Sequence, residues 1–162
     1  MNTQELETFY NELVDEYGEK VIALAQSLGI SLEPDFDADD YPTEDYTDEE
    51  IAEEKQKAID EVKDELNSIH EGYGEYTYEY YGEEYIVTTD EEADEIEDEK
   101  LDDYLEECIY PEIPENLRFY FDDDAWKRDA RIDGRGHLIA TYDGCENEEK
   151  VNDTWYYIYR TN

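Results

Sequence analysis

Residues Glu91 to Glu107 read EEADEIEDEKLDDYLEE, and eleven of these seventeen side chains are carboxylates. Carboxylates at this density can hold a cation, share a proton, or stand in for the phosphates of a nucleic acid. On a helix the span covers about 24 Å, or one charge per about 2.2 Å, against about 1.7 Å for duplex DNA. Thirteen like-charge pairs lie three or four residues apart. At roughly 0.2–0.5 kcal/mol each, they cost about 3–6 kcal/mol before screening, and a whole domain is stable by only about 5–15 kcal/mol. A merely solvated face could use Lys, Gln or Ser at lower cost, so the charge is read as what the helix is there to display.

The candidate phosphate-mimicking carboxylates fall in three groups. An acidic loop, SLEPDFDADDYPTEDY, carries Asp35, Asp37, Asp39, Asp40, Glu44 and Asp45. A second helix opens with Glu49, Glu50, Glu53 and Glu54. The acidic helix itself supplies Glu91, Glu92, Asp94, Glu95, Asp98, Glu99, Asp102, Asp103 and Glu106.

Other chemistries fit less well. Asp35, Asp37 and Asp39 resemble the start of a calcium loop, but its sixth position is Asp40 instead of Gly and its twelfth is Tyr46 instead of Glu. His70, Cys108, His137 and Cys145 lack the close spacing of a zinc site, and Cys145 with His137 makes no recognisable nucleophile pair. Cys108 is expected as a small buried hydrophobe on its helix. Gly134-Arg135-Gly136 lacks the Lys-Ser/Thr of a phosphate-binding loop and reads as a turn. With 51 acidic residues, a chance meeting of two carboxylates identifies no acid–base pair. No enzyme activity, metal or cofactor is expected.

The 162 residues carry a formal charge of −39, a balance common in disordered chains. The 17 Tyr, 4 Phe and 2 Trp argue for a folded one. Residues 1–117 hold 41 acids and 5 bases, whereas residues 118–162 hold 10 and 7. Adaptation to high salt would acidify the whole surface, so this asymmetry argues against it. The field repels nucleic acid and anionic membranes and attracts basic proteins. With no signal peptide or membrane span in view, a cytoplasmic location is expected.

The elements expected to position these groups give an α+β fold. Leu6 to Leu28 forms an amphipathic stripe interrupted at Gly18. Thr47-Asp48-Glu49-Glu50 caps a helix running to about His70. EYTYEYYGEEYIVT reads as a Tyr-rich hairpin turning near Tyr81-Gly82. The acidic helix starts at Thr88 or Thr89, with Ala93, Ile96, Lys100 or Leu101, Tyr104, Leu105, Cys108 and Ile109 inward. A short helix near Asp122 to Arg128 precedes two strands, HLIATY and TWYYIYR. An acidic helical part, 1–70, and an α+β part, 71–162, are expected to form one continuous domain. Lys127, Arg128, Arg131 and Arg135 are expected to pair with Asp122 to Asp124, Asp129 and Asp133. The net charge of residues 1–117 equals the phosphates of roughly 18 base pairs, about 60 Å of duplex. A compact chain of this size has a radius of gyration of only about 15 Å. An elongated molecule, monomer or homodimer, is therefore expected.

NLRFYFDDDAWKRDARIDGRGHLIATYDG, together with EEYIVTTDEEADE and the closing YYIYR, resembles small acidic proteins of tailed bacteriophages. The C-terminal segment is also similar to ArdA-type antirestriction proteins, on Phe121-Asp122, Trp126 and Arg128-Asp129. The N-terminal helices do not follow that pattern. ArdA-type proteins imitate bent DNA and occupy type I restriction enzymes. The resemblance implies a phage-encoded DNA mimic that occupies the DNA site of a host DNA-binding protein, such as a restriction enzyme or CRISPR effector. The alternative is an acidic adaptor or chaperone that shields basic proteins without copying DNA shape.

Overall fold

A computed structural model describes all residues from Met1 to Asn162. The N-terminal stripe forms two helices, α1 (Thr3–Tyr17) and α2 (Glu19–Ser27). Gly18 separates them with φ 87°, a left-handed backbone that other residues adopt only under strain. Asn2 and Glu5 close a capping box at the start of α1. The expected loop follows, with one 3-10 turn at Ala38–Asp40. Helix α3 (Asp48–Asn67) opens on the Thr47/Glu50 capping box. It stops short of His70, because Ile69–Glu71 pairs with the hairpin as strand β1.

Strands β2 (Thr77–Tyr80) and β3 (Glu83–Thr88) form the Tyr-rich hairpin. Tyr81 (φ 46°) and Gly82 (φ 79°) form its two-residue turn, both left-handed as a tight hairpin turn demands. With β4 (Asn147–Val151) and β5 (Thr154–Arg160) they make one antiparallel sheet, ordered β1-β2-β3-β5-β4. Strand alternation sends Tyr85, Val87, Tyr156 and Ile158 into the larger core with α1, α2 and α3. Ile86, Tyr157 and Tyr159 face the other way, against Ala93, Ile139 and Ala140. The sheet is thus sandwiched between helical layers, with α4 (Asp90–Tyr104) and α6 (Arg135–Ile139) on its second face.

Two expectations in the C-terminal part are corrected. HLIATY is not a strand: its first three residues complete α6, whose Ile139 is buried against Tyr159. A Cβ on Gly136 would lie 2.8 Å from the Gly144 carbonyl oxygen, so only glycine lets α6 pack this closely on the following loop. The missing strand is instead NEEKV, whose poor β composition is overridden by pairing with β5. The acidic helix also loses its regular form at Leu105–Ile109, a π-helical turn. That extra residue per turn carries Cys108 off the apolar stripe, and Cys108 is exposed. Tyr104, also assigned to the stripe, is half exposed and stacks on Trp126 of α5 (Asp123–Ala130) at 5.6 Å.

Between Tyr110 and Tyr120 the chain makes two further 3-10 turns with no buried residue. The exposed surface totals 10547 Å², about a quarter above the roughly 8,500 Å² expected of a compact chain of this mass. No helix is long and apolar enough to cross a membrane.

Candidate partner-binding site

The carboxylates of α4 fall into two stripes at four-residue spacing, each step rising about 6 Å. Asp90, Asp94, Asp98 and Asp102 form the first, and the chain's own cations occupy it. Arg135 contacts Asp90 at 2.7 Å and Asp94 at 3.0 Å. Arg131 reaches Asp98 at 2.5 Å and Glu97 at 3.2 Å. Lys127 pairs with Asp98 at 3.3 Å and with Asp102. The cations are themselves spaced by four residues, so the two rows run antiparallel and interlock. The basic cluster was expected to pair with Asp122 to Asp124, Asp129 and Asp133; its partners lie on α4 instead, with Glu146 a further partner of Arg135, and Arg128 makes no ion pair.

Arg135 anchors this row. Burial alone would lower its affinity for the proton, but hydrogen bonds to Glu146 and Asp90 outweigh that and hold it charged. Its guanidinium also sits 4.7 Å from the ring centre of Tyr157. The open polar recess between α4 and α6, about 610 Å³, is lined by Asp90, Asp94, Glu97, Arg131, Arg135 and Glu146 among others. Glu97 was not among the expected site residues. It lies one turn from both Ala93 and Leu101 and is 5% exposed, with Arg131 as partner. Burial is the main influence on its carboxyl and pushes the pKa up in spite of Arg131. Its place on the apolar stripe was the signal that could have found it.

Glu91, Glu95, Glu99 and Asp103 form the second stripe. All four are exposed and none has a cationic partner. Glu106 and Glu107 extend it into the π turn. Glu92 is set apart, since it closes the Thr89 capping box and pairs with Lys20 at 2.9 Å. The internal pairing changes the energetics. Of the thirteen repulsive pairs, only 91–95, 95–99, 99–103, 103–106 and 103–107 join two carboxylates that both lack a cation. The uncompensated cost falls to about 1–3 kcal/mol, which a domain can bear. The displayed density falls as well. From Glu91 to Asp103 the bare stripe shows one carboxylate per about 6 Å, sparser than the roughly 3.4 Å of a single DNA strand and well short of the duplex value.

The remaining candidates lie elsewhere. Asp35, Asp37, Asp39, Asp40, Glu44, Asp45, Glu49, Glu53 and Glu54 are exposed without ion pairs, and Glu50 is spent on the Thr47 capping box. They sit on the layer that contains α3, across the sheet from α4, so the loop and α4 groups do not form one continuous surface. No cluster of three or more His, Cys, Asp or Glu is placed to hold a metal ion. The Cys145 thiol makes its contact with the Asp143 carbonyl oxygen. No protein-family model matches the chain, and neither does any curated protein or solved structure.

Proposed function

We propose that the chain is a phage-encoded DNA mimic that competes for the DNA site of a basic host protein, such as a restriction enzyme or CRISPR effector. The observation that carries this is the contrast between the two stripes of α4. The chain supplies cations for one and leaves the other bare, as a regular row with one charge per turn and at a cost in stability. Lys and Arg in a groove shaped for a phosphate backbone would meet Glu91, Glu95, Glu99 and Asp103 in sequence. Association would be steered by the long-range field and would weaken as salt rises. In this role the protein needs no cofactor, does not bind nucleic acid directly and acts inside the infected cell.

The placement of the loop and α3 carboxylates across the sheet favours the second reading, an acidic adaptor that shields basic proteins of many kinds. One experiment separates the two. Protein retained from a host lysate at moderate salt is challenged with DNA, using the wild-type chain and Glu91→Gln/Glu95→Gln/Glu99→Gln/Asp103→Asn. A mimic retains a particular DNA-binding protein at near-equal stoichiometry, releases it to DNA, and loses it in the variant. Even retention of all basic proteins, indifferent to the four substitutions, would refute mimicry by α4.

A further inference from the structure

We propose that the 3-10 turn Glu115–Tyr120 is a self-association surface that joins two copies of this chain. Phe119 and Tyr120 are 91% and 79% exposed, and Leu117 beside them is half exposed. Phe119 and Tyr120 pack edge to face on each other at 5.6 Å. Such side chains carry about 150–250 Å² each, so the pair presents roughly 300 Å² per copy with no cover in the monomer. A specific interface buries at least about 1,200 Å² in total, so the aromatics supply about half and the flanking residues the rest.

The charge pattern selects the occupant. Arg118, within the turn, donates to the Tyr110 carbonyl oxygen and has no carboxylate partner, so it would repel a basic groove. Glu115, in the same turn, is exposed and equally without a cation, and would repel an acidic surface. A surface that carries both signs beside an apolar centre satisfies them together, and a second copy related by a two-fold axis is such a surface. Arg118 of one copy can then lie over an aromatic ring of the other. Self-repulsion points to the same place, because the turn Glu115–Tyr120 holds one acid and one base whereas the whole chain carries −39. Pairing through this locally neutral turn brings fewer like charges together than pairing through an acidic face. The proposal does not depend on what α4's free stripe binds.

Light scattering and sedimentation at about 150 mM salt, over about 1–200 μM, test it. The wild-type mass should rise with concentration toward twice 19.3 kDa. Phe119→Ser/Tyr120→Ser should weaken association at least about tenfold. Arg118→Glu should weaken it too, while Trp155→Ser, an exposed aromatic on β5, should leave it unchanged. A cooperative melt within a few degrees of the wild type for each variant shows that the fold is intact. A mass that stays at 19.3 kDa throughout, including one where the turn retains a different protein, overturns the proposal. So does a dimer indifferent to the Phe119/Tyr120 pair.

Discussion

With 51 acids and 12 bases, most carboxylates cannot find a cation, and the tyrosines take over part of that work. Tyr80 donates to Glu65, Tyr85 to Glu83 and Tyr156 to Glu19. Tyr110 donates to Asp123 and Tyr159 to Glu146, each at 2.5 Å. A phenol satisfies a carboxylate without lowering the net charge of the surface. The cost appears in alkali. Tyr80 is pushed up to about 12, chiefly by its hydrogen bond to Glu65. Tyr85 is also raised to about 12, chiefly by burial and then by Glu83. An unfolded tyrosine titrates near 10, so the folded state holds these protons more tightly. Their contribution is complete below about pH 10 and is lost as pH rises toward 12. Urea midpoints should therefore fall steeply over that interval, and Tyr80→Phe/Tyr85→Phe should flatten the fall. Glu97 is raised as well, so the stability tied to its proton is lost as pH climbs through its folded pKa, and at neutral pH its buried charge is a burden. Glu97→Gln keeps an oxygen for Arg131 and should raise the urea midpoint at pH 7, with a smaller gain at pH 5. A lower midpoint at pH 7 would show that the ion pair outweighs burial.

At the scale of elements, α4 depends on the row of cations that follows it in the chain. Arg135→Ala strips a partner from Asp90, Asp94 and Glu146 at a side chain that is only 14% exposed. It should cost about 2–3 kcal/mol in urea unfolding. Arg128→Ala, which breaks no pair, should stay within about 0.5 kcal/mol. Equal losses would mean that Arg135 acts only through general charge balance. These elements differ in how far the chain's pattern announced them. The helices with capping boxes, Thr47/Glu50 and Thr89/Glu92, start where local chemistry places them. The β2–β3 hairpin turns at Tyr81-Gly82 as its alternation requires. Strand β4 and helix α6 were illegible, since NEEKV becomes a strand only by pairing with β5 and HLI becomes helical only by packing Ile139 on Tyr159. The partition of α4's acids was hidden for a related reason. Helical spacing puts Asp90, Asp94, Asp98 and Asp102 on one stripe, but only the tertiary fold brings Lys127, Arg131 and Arg135 against them.

At the scale of the whole molecule, salt acts on two opposed sets of interactions. The ion pairs lie at or below 3.3 Å, well inside the Debye length of about 10 Å at 0.1 M, so added salt weakens them little. Uncompensated like charges on α4 stand about 6 Å apart, also within that length but exposed to solvent, and the many repulsions between opposite helical layers lie beyond it, so salt screens the repulsive set more than the attractive one. Repulsive pairs also outnumber attractive ones in a chain of net charge −39. Stability should therefore rise with ionic strength. From about 20 mM to 500 mM NaCl the melting temperature should climb by roughly 5 °C or more, equally in KCl because screening is not ion-specific. Glu91→Gln/Glu95→Gln/Glu99→Gln/Asp103→Asn should melt higher than the wild type at low salt and respond less to added salt, because it removes the bare stripe at no cost to the cation row. Neutralising Asp90, Asp94, Asp98 and Asp102 instead should lower the melting temperature at every salt concentration, since it leaves Arg135, Arg131 and Lys127 with fewer partners. A wild-type melting temperature that falls as salt rises would mean that the internal ion pairs, not repulsion, dominate the electrostatics of the fold. The bare stripe would then carry little strain for a partner to relieve.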